Sequence, residues 1–257
     1  MYITSAVISC TPVELAYLAA LVNDGPLIGV PDPFSGRLAP EVEEALGGAR
    51  AQLQHRGLIH IGTDGTVTAD EELAALLSIC IGSQPSFRLV RTLPGSGTTV
   101  HHYHQGEAGS VELAASADGQ VVDIIAICNL AERIVQLLNI AQQAAPASAG
   151  GTVSEALLER VRDLAEEGRV EDGAMLLHRA GIPIEPAALL VSDLASPLRL
   201  AVLLAIHPSA TGWGADGVTF VEGAGGLWLL KPAAGQVTVS LVGAREAESV
   251  IRQILGE

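Results

Sequence analysis

Three of the chain's seven histidines fall within four residues, in the stretch Val100-His101-His102-Tyr103-His104-Gln105-Gly106. Imidazoles at that density are the residues here best suited to hold a metal, and with it a metal-dependent enzyme. A strand alternates its side chains, so His102 and His104 share a face with Val100, while His101 and Tyr103 share the other. A pair at i, i+2 can contact one ion, but zinc needs a third and a fourth ligand. Two nearby carboxylates, Glu107 and Asp118, belong to turns. The stretch therefore predicts a strand of a half-exposed sheet, its imidazoles against helix or solvent, with no bound metal and no cofactor. His55, His60, His178 and His207 are isolated.

Other motifs weaken on their context. Gly212-Trp213-Gly214-Ala215-Asp216-Gly217 spells G-x-G-x-x-G, but strand-like text follows it, whereas a dinucleotide turn must open a helix whose N-terminus faces the pyrophosphate. It reads as a long hairpin loop. Gly95-Ser96-Gly97 has no lysine and no following helix, so it is no phosphate loop. The carboxylates Glu41, Glu43, Glu44, Glu166 and Glu167 lie on polar helix faces, and no nucleophile stands with a base. No catalytic residue is assigned, and the chain is expected not to be an enzyme.

Composition narrows the partners. The formal charge is −15 over 257 residues, which opposes nucleic acid and an anionic membrane surface. Hydrophobic residues make up 49% and aromatics only 3%, so a core must be built from Leu, Val, Ile and Ala. Cys10, Cys80 and Cys128 are widely spaced, odd in number and set among apolar residues, which suits free thiols in a reducing cytoplasm. "MYITSAVISC" has no basic n-region, and the apolar run Leu198–Ile206 is half a membrane span. A cytoplasmic protein is expected.

The elements that must position these residues form a repeated plan. "CTPVELAYLAALV" is a helix opened by a Thr11–Glu14 capping box, and a second helix spans 40–56. "LIHIGTDGTVTAD" is a hairpin around Asp64-Gly65, and 70–81 is helical again. Segments 87–93, 98–105, 110–116 and 120–127 alternate across short Gly-bearing connectors, which predicts an antiparallel four-strand meander, followed by a helix over 129–143. "AAPASAGG" (144–151) reads as a linker. Then come a Thr152–Glu155 capping box, further helices, strands at 198–206, 217–222, 227–232 and 236–242, and a helix over 244–255. "GQVVDIIAICNLAERIVQLL" at 119–138 aligns with "GQVTVSLVGAREAESVIRQI" at 235–254, an offset of 116 residues. The expected fold class is α+β: a duplicated helices–meander–helix unit with pseudo-two-fold symmetry, its halves 1–145 and 152–257 packed as one compact body.

The layout "L..RGLI", a DG turn, a helix and a meander opening on "QPSFRLVR", with "GAGGLWLL" and "GQVTVSLVGAREAESVIRQIL" in the second half, resembles the EspG proteins of mycobacterial type VII (ESX) secretion. The resemblance covers most of the chain as pattern. It implies a duplicated α+β fold with a central sheet flanked by helical bundles, and a non-enzymatic cytosolic chaperone that holds the apolar tip of a PPE protein, in a PE–PPE pair, until export. It further implies contacts from a meander loop, here Leu93, Pro94, Ser96 and Thr98, and from second-half helices, here Met175, Leu177 and Arg179. An apolar client calls for an apolar patch, for which Val90, Leu93, Leu227, Trp228 and Leu229 are candidates against burial in the core.

Two other readings compete. Helix 40–56 followed by a short hairpin looks like a winged-helix module, a regulator or a scaffold derived from one, although only Arg50 and Arg56 lie on the helix and the net charge opposes DNA. The His101–His104 strand could instead serve a metal-dependent enzyme.

Overall fold

The meander text folds into hairpins whose turns satisfy their own backbone. The computed structural model describes residues 7–22, 27–82, 85–140, 149–210 and 212–257. Among these the chain forms eight helices and twelve strands, α+β with antiparallel pairing. It divides into two compact units, residues 1–88 with 99–130, and residues 89–98 with 131–257.

The first unit opens with β1 (Val7–Cys10) and α1 (Pro12–Val22). Thr11 Oγ1 accepts from the Glu14 amide at 3.2 Å while Glu14 Oε2 accepts from the Thr11 amide at 2.8 Å, the reciprocal cap that the sequence implies. Then come α2 (Ala39–His55), the hairpin β2 (Ile59–Ile61) and β3 (Val67–Ala69), and α3 (Glu71–Gly82). Asp70 caps α3 by accepting from the Glu72 and Leu73 amides. The meander is β4 (Ser86–Leu93), β5 (Gly97–Gly106), β6 (Gly109–Ala115) and β7 (Val122–Ile127). Strand β4 crosses the division between the units. Strands β5, β6 and β7 pair in order, and β1 adds antiparallel to β7. Leu15, Leu18, Leu53, Leu73, Leu77, Val111, Leu113 and Ile124 form the core between the helices and one sheet face.

The second unit contains α4 (Leu130–Leu138) from its second residue, β8 (Gly150–Ser154), α5 (Glu155–Glu166), α6 (Val170–Arg179), α7 (Ile184–Ala195), β9 (Arg199–Ser209), β10 (Gly212–Gly223), β11 (Gly226–Ala233), β12 (Gln236–Val242) and α8 (Ala244–Leu255). Its strands run in the order β9-β10-β11-β12-β8. The helices α5, α6 and α7 bury Val161, Leu177, Leu190 and Val191 against Val221, Trp228, Val239 and Leu241 of the sheet. Helices α6 and α7 approach closely at Gly173, where an added Cβ would lie 2.9 Å from Val191.

Several expectations are corrected. Val7–Cys10 and Gly150–Ser154 are strands, so Gly150 and Gly151 are not linker; residues 144–148 lie outside the described residues. Thr152 sits in β8, and the cap of α5 is Ser154, whose Oγ accepts from the Leu157 amide. Helix α4 ends at Leu138 rather than 143. The Gly212–Gly217 motif is the first half of β10, not a loop. No helix among the described residues is long and apolar enough to cross a membrane.

Candidate functional site

The histidine strand is interior. Within β5 the backbone register sets His102 opposite Leu113 and His104 opposite Val111, so both rings enter the helix-covered face. His104 is fully buried and His101 and His102 nearly so, which corrects the half-exposed sheet. Burial pushes both His102 and His104 down to about 4; Arg88 and the neighbouring imidazoles add to the effect at His102, while the Ile28 backbone partly opposes it at His104. The His102 ring lies over Gly29, whose φ of +95° and missing side chain let the loop before α2 close on it: a Cβ there would sit 2.1 Å from the ring. On the opposite face His101 Nδ1 donates to the buried Glu112 carboxylate at 2.6 Å, with the Thr99 hydroxyl 3.3 Å from its Nε2. These groups hold a core together. No cluster of three or more His, Cys, Asp or Glu among the described residues is arranged around a metal.

The winged-helix layout is present as α2 and the β2–β3 hairpin, but its basic residues are spent or sparse. Arg56 closes an ion pair with the buried Glu14 at 3.1 Å and donates to the Ser9 carbonyl, while Glu41, Glu43 and Glu44 are exposed on α2 beside Arg50. A recognition helix needs free cations facing phosphate, and this surface is acidic.

Both segments singled out for partner contact belong to the second unit. Leu93, Pro94, Ser96 and Thr98 lie at the β4–β5 hairpin end. The Ser96 amide donates to the Leu93 carbonyl at 3.0 Å, Gly95 and Gly97 take positive φ, and Thr92 and Thr98 join hydroxyls at 2.9 Å across the base. Pro94, Ser96 and Thr98 are exposed and Leu93 is half-buried. On α6, Met175 is 44% exposed and Arg179 is exposed, but Leu177 is fully buried in the helix–sheet core. Leu177 is therefore packing, not contact surface, because it faces α7 and the sheet.

The suggested apolar patch is likewise corrected: Trp228 and Leu229 are buried, and Val90, Leu93 and Leu227 half-buried. Trp228 Nε1 donates at 2.8 Å to Asp193 of α7, and the Gly225 amide donates to the same carboxylate at 3.0 Å. Asp193 is nearly inaccessible, and Gly223 and Gly225 leave it the room it occupies. The apolar side chains that do face solvent in this unit include Met175, Ile184, Leu189, Leu198 and Trp213. Ile184 and Leu189 stand out from the apolar text of α7 only once its buried residues, Ala187, Leu190 and Val191, are known.

The chain is similar in structure to EspG5, the type VII secretion system chaperone of Mycobacterium tuberculosis, solved in complex with a PE25–PPE41 dimer. The TM-score is 0.70 at 14% sequence identity, over 97% of this chain and 96% of that one. The likeness shows a shared fold across the whole length. A second structure, HtdX from the same organism, aligns at a TM-score of 0.16 with 12% identity over 92% of this chain and 98% of its own. No family model matches the chain, and no curated protein matches it.

Proposed function

We propose that this chain is a non-enzymatic cytosolic chaperone of the EspG kind, which binds a PE–PPE-like pair or an analogous helical client and shields its apolar surface before export. The observation that carries the reading is the whole-length agreement with EspG5, whose structure was solved with a PE–PPE dimer bound. The exposed Met175, Ile184 and Leu189 on α6 and α7 support it, since a soluble acidic body that displays apolar helix residues has a surface suited to an apolar partner. The exposed hairpin end at Pro94, Ser96 and Thr98, with Leu93 behind it, and Arg179 at the end of α6 supply polar rim contacts in this proposal.

We propose further that the halves 1–145 and 152–257 arose by duplication. The 116-residue offset supports this, as does the way a leading strand adds antiparallel to the last meander strand both in β1·β7 and in β8·β12.

The test is co-expression of the full chain with PE–PPE pairs encoded near its gene, followed by size-exclusion chromatography with light scattering and by calorimetry. A stoichiometric, ATP-independent complex is expected. A Met175→Asp, Leu189→Asp double variant should weaken it by about tenfold or more. A folded wild type that binds none of the pairs with Kd below ~10 µM overturns the reading.

A further inference from the structure

We propose that β10 is a docking edge for an extended, basic peptide segment of a partner protein. This inference goes beyond the client reading and does not depend on it.

Strand β10 pairs with β9 from Gly212 to Glu222, but with β11 only from Thr219 to Gly223. In the order β9-β10-β11 no other strand flanks it. Gly212–Val218 therefore have a strand on one side only, and alternate residues present unpaired backbone N–H and C=O groups on the other. One residue accounts for why β11 does not continue the ladder. Extending the register would set Pro232, which lacks an N–H, opposite Gly217. On the opposite side of Gly217, β9 presses in so closely that a Cβ would sit 2.2 Å from the Leu203 carbonyl oxygen.

The two strands part around a groove of about 580 Å³, with Asp216, Gly217 and Val218 on one wall and Lys231 and Pro232 on the other, under the last turn of α8. That volume suits several residues of an extended chain. The residues of this edge are mostly glycine and alanine, which leaves the backbone accessible, and an exposed tryptophan, Trp213 at 61%, stands on the same strand. An occupant adding as a strand would satisfy those groups and cover the indole.

Charge selects the occupant. Glu155 and Asp216 line the groove against Lys231, the chain's only lysine, and the whole chain carries −15. The Asp216 side chain is 89% exposed, and its Oδ2 lies 2.9 Å from His207 Nε2. A segment carrying Lys or Arg complements this wall, and an acidic one is repelled.

The experiment displays a library of linear peptides of about seven residues on phage against the immobilised full chain, then follows selected synthetic peptides by fluorescence anisotropy and hydrogen exchange. Enriched peptides should alternate apolar and polar residues and carry at least one basic side chain. Their binding should fall about tenfold or more on Asp216→Arg, and again when alternate peptide amides are N-methylated. Amides of residues 212–218 should gain protection. Circular dichroism checks that the Asp216→Arg protein, altered at an exposed position, keeps its fold; a misfolded variant is replaced by Glu155→Arg, which removes the groove's other carboxylate. No enrichment over the uncoated surface overturns the proposal. So does binding indifferent to these variants and to N-methylation, or protection confined to α6 and α7. No PE–PPE protein enters the assay, so its failure is separate from failure of the chaperone reading.

Discussion

Lowering the pH should unfold the first unit through two imidazoles. His102 and His104 are buried on the helix-covered face and held near 4, against 6.5 for a free imidazole. A fall of that size costs about 3 kcal/mol for each ring that must charge. The sign follows from proton counting: between pH 6.5 and 4 the unfolded chain binds protons that the folded chain refuses, so stability is intact above pH 6.5 and is lost as pH falls. Each charged ring also disfavours the other, and the shared part cannot be counted twice, so the loss by pH 4 is on the order of 5 kcal/mol. That is comparable with the whole stability of a typical domain. The slope near pH 5 should approach about 2.7 kcal/mol per pH unit for two such groups. Other groups act differently. Asp64 and Asp118, lowered by turn hydrogen bonds, lose their contribution only as pH falls below the range where the histidines act. His207, raised by the Pro208 carbonyl and Asp216, works in the opposite sense, on the surface. The assay is urea unfolding by circular dichroism from about pH 7.5 to 4.5, with imidazole C–H resonances followed by NMR. A His102→Gln, His104→Gln double variant, weaker at neutral pH, should lose most of the slope. A wild-type slope below ~1 kcal/mol per pH unit between pH 6 and 5, or two buried imidazoles titrating near 6.5, would refute the reasoning.

Removing the carboxylate at Asp193 should strand the Trp228 indole N–H and the Gly225 amide; Asp193→Ala is expected to cost about 2–4 kcal/mol in urea unfolding and to shift the tryptophan emission to the red. Leu177→Ala should cost about 3 kcal/mol, whereas Met175→Ala should stay within about 0.5 kcal/mol; equal losses would contradict the packing of α6. In native protein a thiol reagent should titrate Cys128 alone, because Cys128 is exposed while burial pushes Cys10 to about 11 and Cys80 to about 12; all three should react in denaturant.

Periodicity made the fold class legible, because strands such as β7 and β12 alternate buried and less buried residues, and because caps such as Thr11 with Glu14 are local. The strands that escaped notice lack that signal. Gly150 and Gly151 look like linker, yet Gly150 is small because the Val239 carbonyl lies 2.2 Å from where its Cβ would be, a constraint set by a strand more than eighty residues away. β10 hid for a related reason: its first half has one neighbouring strand instead of two, so selection for alternating bulk is absent and Gly212, Gly214 and Gly217 mimic a loop. The histidines misled in the opposite direction. Polar residues in strand text suggest exposure, but neutral imidazoles can enter a core when a loop with Gly29 closes over one ring. What a single sequence could not assign is which apolar residues of α6 and α7 face out. Leu177 and Met175 are two positions apart on one helix and both apolar, and only the seating of α7 and the sheet makes one of them core and the other surface. The surface through which a protein binds its client is decided by that same seating, which is why the fold was readable before the contact residues were.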